Sequence, residues 1–297
     1  MTQACGFVAI LGAPNAGKST LLNRLVGTKL AIVTPKPQTT RRRMLGVVIA
    51  GEAQIILVDT PGIFAPTRRL DRAMVGAAWA GAADADLVML LIDAARGLDA
   101  DTTRVLDGLK QQHPRAIAVL NKIDRVDKAA LLPLAAALNE TRLFERVMMV
   151  SALNGDGIAD LTAMLVAIMP AGPWHYPEDQ LTDLAERLIA AEITRERLFL
   201  DLRQELPYAS HVETDRFEER ADGSLRLDQT IHVARASQKA IVLGKGGRQV
   251  KAIGAAARAE MARFFGRPVH LFLFVRVSEN WAEDRANYQT LGLDYES

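Results

Sequence analysis

The stretch Gly12-Ala-Pro-Asn-Ala-Gly17-Lys18-Ser19 decides the fold of the first half of this chain. It follows a short apolar run, Phe7–Leu11, and precedes a helix-length segment, Ser19–Val26. Glycines at this spacing let backbone N–H groups converge on phosphate oxygens beside a helix N-terminus, which already favours anions. Lys18 would reach the β- and γ-phosphates of a nucleotide, and the Ser19 hydroxyl would bind Mg²⁺. The spacing therefore predicts a phosphate-binding loop, with a glycine turn that only caps a helix as the alternative.

Further apolar runs of strand length follow this loop, with helix-length segments between most of them. The apolar runs are Gln54–Val58, Leu87–Ile92, Ala116–Leu120 and Val147–Val150, and the helical segments include Leu70–Ala82, Thr102–Gln112 and Lys128–Thr141. Strands that are apolar along their whole length are typical of a parallel sheet covered by helices on both faces. We therefore predict a doubly wound α/β domain over residues 1–170. Met44–Ile49 is predicted as an extra strand, antiparallel to Gln54–Val58.

The composition excludes several classes of protein. Of the 297 residues, 49% are hydrophobic and 24% are charged, which is ordinary for a globular chain and argues against wholesale disorder. The single cysteine, Cys5, cannot form an internal disulfide, which favours a reducing compartment. The longest apolar run, Leu87–Ile92, is far shorter than the ~20 residues of a membrane-spanning helix, and the N-terminus lacks the basic region of a signal peptide. We expect a soluble, cytoplasmic protein.

Asn121-Lys122-Ile-Asp124 directly follows a predicted strand and indicates which base the site reads. An aspartate carboxylate accepts hydrogen bonds from guanine N1–H and N2–H₂, whereas adenine presents an acceptor at N1 and has no 2-amino group. Adenine would leave that carboxylate desolvated and unpaired, so the motif favours guanine nucleotides. Asn121 is expected to contact the base and brace the phosphate loop, with the Lys122 stem along the ring. Ser151-Ala152 would present backbone N–H groups to guanine O6.

Asp59-Thr-Pro-Gly62 ends another predicted strand. Asp59 would hold Mg²⁺ through water, and the Gly62 N–H would sense the γ-phosphate. Between this motif and the phosphate loop, Thr39 and Thr40 are both candidates for the threonine that completes the magnesium shell, and we favour Thr40. The residue after Gly62 is Ile63, where Ras-like enzymes carry the glutamine that orients the attacking water. Hydrolysis is therefore expected to be slow, or to be assisted by backbone groups, a second cation or a partner.

These four motifs together predict a GTPase site. Its candidate catalytic residues are Lys18, Thr40 and Gly62, and its magnesium ligands are Ser19, Thr40 and Asp59. Asn15 is a candidate ligand for a second cation, K⁺, with a local Asx turn as the alternative. The residues expected to contact GTP are Gly12, Ala13, Pro14, Asn15, Ala16, Gly17, Lys18, Ser19, Thr20, Asp59, Thr60, Pro61, Gly62, Asn121, Lys122, Asp124, Ser151 and Ala152.

Three prolines and a glycine within Pro170–Pro177 interrupt the alternating pattern. Such a stretch cannot continue a helix or a central strand, so we predict a linker at 171–178 and a second domain, α+β, at 179–297. The predicted elements of that domain are a helix at Asp183–Glu205, a hairpin of His211–Arg220 and Ser224–Val233, a glycine-rich turn, a helix at Arg248–Phe265 and a strand at Val269–Val277.

The glycine-rich turn, Gly244-Lys245-Gly246-Gly247, lies in a basic segment. Nine Lys or Arg side chains and one acid, Glu260, lie between Arg235 and Arg276, although the net charge of the whole chain is only +1. A basic G-x-x-G turn before a helix clamps an RNA backbone in KH modules, and the element order matches their type II form with one helix not predicted. The alternatives are a structural turn and a solvated helix face. The expected RNA-binding residues are Gly244, Lys245, Gly246, Gly247, Arg248 and Lys251, over an apolar floor of Ile241, Val242, Val250 and Ile253.

The whole chain resembles the Era-type GTPases, a bacterial family. The matching segments are GAPNAGKSTLLNRL, PKPQTTR, VDTPGI, LNKID, PWHYPEDQ, RLFLDLRQELPYA and VLGKGGRQVKAIG. The resemblance implies a GTP-hydrolysing switch that binds single-stranded RNA near the 3′ end of 16S rRNA and assists assembly of the 30S subunit. Association with the inner face of the plasma membrane is also attributed to the family, and we expect a monomer.

Two other functions fit parts of the same pattern. A GTPase that acts on tRNA modification or translation would use the second domain for a different RNA. A metabolic kinase would use only the phosphate loop. The guanine-reading motif argues against the kinase, and the chain lacks the β-barrel domains expected of a translation factor.

Overall fold

The computed structural model describes residues 3–36, 39–202, 206–208, 210–279 and 281–296. The chain divides into two units. The first unit consists of Met1–Ala31, Thr40–Asp183 and Tyr288–Ser297, and the second of Ile32–Thr39 and Leu184–Asn287. The main boundary therefore follows Asp183, later than the predicted linker at 171–178. Each unit also contains one segment from the other half of the sequence, which the sequence analysis did not predict.

The first unit is built on a six-stranded sheet. Its elements are β1 (Ala4–Leu11), α1 (Lys18–Val26), β2 (Met44–Ala50), β3 (Ala53–Asp59), α2 (Arg69–Ala83), β4 (Leu87–Asp93), α3 (Ala100–Gln112), β5 (Ala116–Asn121), α4 (Lys128–Glu140), β6 (Val147–Met149) and α5 (Ile158–Ile168). The strand order is β2-β3-β1-β4-β5-β6, and only the β2–β3 pair is antiparallel. The doubly wound α/β prediction is confirmed, including the antiparallel strand, whereas α5 was not predicted.

The central strands are buried on both of their faces. Every residue of β3 and of β4 is buried, so alternate side chains on either face of the sheet are covered. On one face, Ala78 of α2, Leu106 of α3 and Leu131 of α4 pack into one cluster with residues of β1, β4 and β5. This packing fixes the carboxyl ends of the parallel strands, where the predicted motifs lie.

The predicted linker belongs to the first unit. The Gln54 side chain of β3 accepts hydrogen bonds from the backbone N–H groups of His175 and Tyr176, at 2.9 and 3.0 Å. Farther along, Val47 of β2 donates its N–H to the Leu181 carbonyl at 2.9 Å. The prolines exclude regular structure here, yet these hydrogen bonds fix the path of the segment.

The second unit is a three-stranded sheet with helices. Its elements are α6 (Glu186–Asp201), β7 (Ser210–Glu219), β8 (Leu225–Val233), α7 (Ala236–Leu243), α8 (Arg248–Phe265), β9 (Val269–Val277) and the start of α9 (Arg285–Leu291). The order is β7-β8-β9, with β7–β8 antiparallel and β8–β9 parallel. The helix predicted at Asp183–Glu205 is observed as the shorter α6, Glu186–Asp201, and residues 203–205 of the prediction lie outside the described residues. No helix within the described part of the chain is long and apolar enough to cross a membrane.

The end of the chain packs against α2 in the first unit. Arg69 of α2 lies with its guanidinium carbon 4.5 Å from the centre of the Tyr295 ring. The buried members of this cluster are Ala73, Met74, Tyr288, Leu291 and Leu293. Residues 288–295 therefore cover an apolar face of α2, although the sequence analysis assigned them to the second domain.

Candidate functional sites

Lys18 is buried at the phosphate loop. Its Nζ donates to the carbonyls of Gly12 and Ala13, both at 3.0 Å, so the ammonium lies inside the curve of the loop. Burial lowers the pKa of Lys18 to about 8, against the opposing influence of the Asp59 carboxylate. A buried ammonium at the N-terminus of a helix, here α1, favours binding of an anionic group.

Ser19, Thr40 and Asp59 form a buried cluster of oxygen atoms. The two hydroxyls lie 3.0 Å apart, and each lies 3.1 Å from Oδ2 of Asp59. Asp59 is fully buried, and its Oδ1 has no hydrogen-bond partner within the described residues. Burial raises the pKa of Asp59, against the effects of Lys18 and of the two hydroxyl hydrogen bonds. This donor set, with an unsatisfied buried oxygen, fits a magnesium ion shared with nucleotide phosphates.

Asn121 connects the phosphate loop to the segment that follows β6. Its Nδ2 donates to the Ala16 carbonyl at 2.8 Å, and its Oδ1 accepts the Ala152 N–H at 3.0 Å. Ser151 donates its hydroxyl to Oδ1 of Asp124 at 2.5 Å, which holds that carboxylate at the edge of the site. The predicted bracing by Asn121 is therefore present, and in this structure the Ala152 amide is engaged within the loop.

Lys122 contacts a residue that the sequence analysis missed. Its Nζ donates to the Asn15 carbonyl at 2.6 Å and to Oδ2 of Asp93 at 2.8 Å. Asp93 ends β4 and is buried, as Asp59 ends β3. The same signal, an acid that closes an apolar strand, could have identified Asp93 as the residue that orients the Lys122 stem.

The segment after β3 passes close to the phosphate loop. A Cβ atom at Gly62 would lie 3.1 Å from the Cα of Pro14, so a side chain at this position would crowd the loop. Ile63 donates its N–H to the Gly12 carbonyl at 3.1 Å, and its side chain is buried in the core. An apolar, buried Ile63 cannot orient a water molecule for attack.

The turn Lys245–Gly247 is open to a ligand. Gly244, Gly246 and Gly247 have φ angles of 69°, 62° and 75°, a region that residues with a Cβ rarely adopt. A Cβ at Gly246 or Gly247 would meet no atom within 4 Å, so glycine is needed here for the backbone and not for packing. The turn joins α7 to α8, which corrects the prediction that it follows a strand directly.

A groove of about 300 Å³ lies beside this turn and corrects the predicted apolar floor. Val242 and Ile253 are fully buried in the core, so they cannot contact a ligand. Leu271 and Leu273 of β9 line the groove instead, at alternate positions on the helix-facing side of the strand. The other lining residues are Val250, Lys251, Gly254, Ala255 and Arg258.

Basic side chains lie in this groove and in the turn that precedes it: Lys251 and Arg258 line the groove, whereas Lys245 lies in the turn and Arg248 begins α8. Lys245, Arg248, Lys251 and Arg258 are exposed, and within the described residues none of them makes an ion pair. The one acid of the basic segment, Glu260, is buried and bonded to Arg197. The positive charge of this surface is therefore not neutralised locally, which favours an anionic ligand.

Comparison with known proteins assigns both units to families. Residues 7–122 match the family described as 50S ribosome-binding GTPase, and residues 205–282 match the KH domain family. GTPase Era from Rhizobium meliloti (strain 1021) is 58% identical over 290 residues, which cover 98% of this chain and 93% of that protein. GTPase Era from Brucella suis biovar 1 (strain 1330) is 57% identical, with coverages of 98% and 94%. The chain belongs to the Era family of GTPases.

Solved Era structures have the same fold over nearly the whole length. A variant of Aquifex aeolicus Era bound to GDP and AlF4⁻ superposes with a TM-score of 0.93 at 37% identity, covering 98% of this chain and 99% of that one. Era in complex with MgGDPNP and nucleotides 1506–1542 of 16S ribosomal RNA gives the same TM-score, identity and coverage. Membership of the Era family confirms the predicted GTPase activity and the predicted pairing of a GTPase domain with a KH domain.

In this Era-family chain the predicted nucleotide-site residues lie at or just after the ends of four strands of one sheet. The phosphate loop follows β1, and the segments beginning at Asp59, Asn121 and Ser151 lie at the ends of β3, β5 and β6. The Thr60 hydroxyl donates to the Ile10 carbonyl at 2.8 Å and secures the loop after β3. Thr40 lies in the oxygen cluster, and Thr39 presents its carbonyl to Arg195.

Proposed function

We propose that this Era-family GTPase is a switch that binds GTP with Mg²⁺ in its first unit and single-stranded 16S rRNA, near the 3′ end, in its second. Assembly of the 30S subunit is the process in which we infer that it acts. The observation that carries the proposal is the presence, in one chain, of a guanine-reading motif and an unneutralised basic groove beside a G-x-x-G turn. The similar Era that was solved with MgGDPNP and nucleotides 1506–1542 of 16S rRNA supports it.

Sequencing of RNA crosslinked to the protein in cells tests the RNA assignment. We expect enrichment of fragments from the 3′ end of 16S rRNA. Enrichment of tRNA without 16S fragments would contradict the proposal and favour a role in tRNA modification or translation.

In the proposed site, Ser19 and Thr40 bind Mg²⁺ through their hydroxyls, and Asp59 binds it through a water molecule. The ion supplies charge neutralisation at the β- and γ-phosphates. Lys18 donates to the same phosphates from inside the loop, and the Gly62 N–H faces the γ-phosphate. The orphaned Oδ1 of Asp59 supports this arrangement, because a buried carboxylate oxygen requires a partner.

Asp124→Asn is expected to shift the preference of the site from GTP towards xanthosine triphosphate. The amide presents a donor where the carboxylate accepted, which matches the C2 carbonyl of xanthine and mismatches the 2-amino group of guanine. We expect GTP affinity to fall by roughly 10²-fold or more, as for other hydrogen-bonding mismatches between a site and its ligand. Competition binding with the two nucleotides measures it, with Asp127→Asn as a charge-matched control. A variant that still binds GTP and rejects xanthosine triphosphate would show that the base pocket is elsewhere.

Hydrolysis is expected to be slow in Na⁺ and several-fold faster in K⁺. We propose that the Asn15 side chain contributes a ligand to K⁺ near the phosphates and that the cation assists hydrolysis in place of the missing glutamine. Support comes from the position of Asn15 in the loop, at φ 63°, and from the burial of Ile63. Turnover measured in matched K⁺ and Na⁺ salts, for the wild type and for Asn15→Ala, tests this. Equal rates in the two salts, or a K⁺ preference that survives in Asn15→Ala, would contradict it.

For RNA, we propose that backbone N–H groups of Gly246 and Gly247 and the Lys245 ammonium meet successive phosphates. The bases then enter the groove, where Leu271 and Leu273 provide apolar contact. The open turn and the basic side chains of the turn and groove support this assignment. Phosphate contacts give affinity, and contacts within the groove give base preference.

A further inference from the structure

The loop that follows β6 is closed at its base by its own hydrogen bonds. Ser151 donates its N–H to the Asp156 carbonyl at 2.9 Å, and Gly155 donates its N–H to the Ser151 carbonyl at 2.8 Å. The two residues at the tip of this loop, Ala152 and Leu153, take no part in these bonds. The Leu153 side chain is 68% exposed, so packing in the core does not fix this residue either. The backbone at Leu153 therefore depends on hydrogen bonds from other elements.

Arg24 of α1 supplies those hydrogen bonds. Its Nε donates to the Ala152 carbonyl at 3.0 Å, and its Nη2 donates to the Leu153 carbonyl. Because both donors belong to one planar guanidinium, rotation of either peptide unit would break a hydrogen bond. Arg24 lies in the last turn of α1, the helix that begins with Lys18 and Ser19. One helix therefore begins at the phosphate loop and ends against the tip of the loop that follows β6.

The Leu153 N–H is the polar group that Arg24 leaves open to a ligand. The C=O and N–H of a trans peptide unit point in opposite directions, so a guanidinium on the Ala152 carbonyl directs the Leu153 N–H away from Arg24. This N–H has no hydrogen-bond partner within the described residues. The Ala152 N–H, in contrast, donates to Oδ1 of Asn121 at 3.0 Å. An open donor thus lies next to a residue of the guanine-reading motif.

We propose that Arg24 is a positioning residue for guanine specificity, which fixes the Ala152–Leu153 peptide unit so that the Leu153 N–H donates to O6 of the base. The inference rests on the proposed guanine pocket, in which Asp124 accepts from N1–H and the 2-amino group. Adenine has an amino group at position 6, which would place a donor against the Leu153 N–H and leave both unpaired. Arg24 and Asp124 therefore act on different atoms of the base, and nucleotide analogues separate their effects.

Arg24→Met in the full-length protein tests the proposal through its affinities for GDP, 6-thio-GDP and IDP. In 6-thio-GDP a sulfur atom, which is a weak acceptor, replaces O6, and IDP lacks the 2-amino group. We expect the wild type to bind GDP about fivefold more tightly than 6-thio-GDP, the usual effect of one hydrogen bond. Arg24→Met should reduce this ratio to less than about twofold. The ratio between GDP and IDP should not change, because it reports on Asp124.

Two further variants are the controls. Arg24→Lys keeps the charge and lacks the fork geometry that reaches both carbonyls, so its ratio of GDP to 6-thio-GDP affinity should lie between those of Arg24→Met and the wild type. Arg104→Met removes an exposed arginine that pairs with Asp101 on α3, and it should leave both ratios unchanged.

The outcomes separate this inference from the proposed base pocket. If Asp124→Asn does not change the preference between GTP and xanthosine triphosphate, the pocket itself is wrong. If that preference shifts as expected and Arg24→Met keeps the GDP to 6-thio-GDP ratio of the wild type, the inference about Arg24 is wrong. If the wild type binds GDP and 6-thio-GDP equally, the Leu153 N–H does not read O6. If Arg24→Met weakens all three nucleotides by the same factor, Arg24 has only a structural role.

Discussion

Simultaneous replacement of Lys245 and Gly246 by aspartate is expected to abolish binding of a single-stranded 16S 3′-end oligonucleotide, with a loss of at least about 100-fold in affinity. The change replaces one cation by two carboxylates in a turn that faces the phosphates, and like charges at contact distance repel. The fold should survive, because Lys245 is exposed and a Cβ at Gly246 meets no atom within 4 Å. Aspartate also tolerates the left-handed φ of Gly246 better than most residues.

Titration by fluorescence anisotropy at fixed salt measures this loss in the full-length protein. Arg263→Asp, an exposed reversal at the other end of α8, is the control and should weaken binding only slightly. Arg248→Ala should weaken binding evenly across sequences and flatten its salt dependence, as expected for a phosphate contact. If the double variant binds RNA as tightly as the wild type, the turn has only a structural role. If the double variant loses GTP binding as well as RNA binding, it is misfolded and the loss of RNA binding is not specific.

Lys18→Ala is expected to reduce GTP turnover by roughly 10²- to 10³-fold, the usual effect of removing a preorganised donor from developing charge. Lys18 is the buried cation inside the phosphate loop, and its loss leaves the phosphates without that partner. Single-turnover hydrolysis and nucleotide titration measure the effect, with Lys128→Ala on exposed α4 as a control. Nucleotide binding that is unaffected by Lys18→Ala would contradict the assigned role.

Lys18 is also expected to make both the stability of the protein and its affinity for GTP depend on pH. The free folded protein loses the Lys18 proton near pH 8, whereas the unfolded chain keeps it to about 10.5. Below pH 8 the folded protein contains a buried, charged Lys18, which lowers the free energy of unfolding. As the pH rises from 8 to 10.5 the folded protein has lost this proton and the unfolded chain still holds it, so the free energy of unfolding increases. Bound phosphates favour the charged form, so GTP affinity should fall as the pH rises above 8. Lys18→Ala should lack this fall.

The nucleotide site could be predicted from the sequence because short-range spacing determines it. Gly12, Lys18 and Ser19 lie in one loop, and Asp59 and Asn121 each close an apolar strand of a parallel sheet. Parallel strands bring such ends to one edge whatever the details of packing. Asp93 satisfied the same rule at β4 and was missed because it lies outside a recognised motif.

The RNA groove was predicted less well because its floor depends on tertiary packing. Val242, Ile253 and Leu271 are all apolar, and the sequence does not distinguish a core residue from one that lines a groove. Helix α7 was missed because Ala236–Leu243 spans only eight residues. The contact between Val33 and Glu196 joins residues 163 positions apart, a separation at which local patterns carry no information.

The exchange of segments between the two units has a consequence for synthesis of the chain. A protein leaves the ribosome from its N-terminus, and domains usually fold as each is completed. Here the face of α2 that contains Met74 packs against Tyr288 and Leu291, which are translated much later than α2. Val33 likewise cannot form its hydrogen bond with Glu196 until α6 has been translated. The first unit therefore cannot reach its final packing until the segment that begins at Tyr288 has been translated.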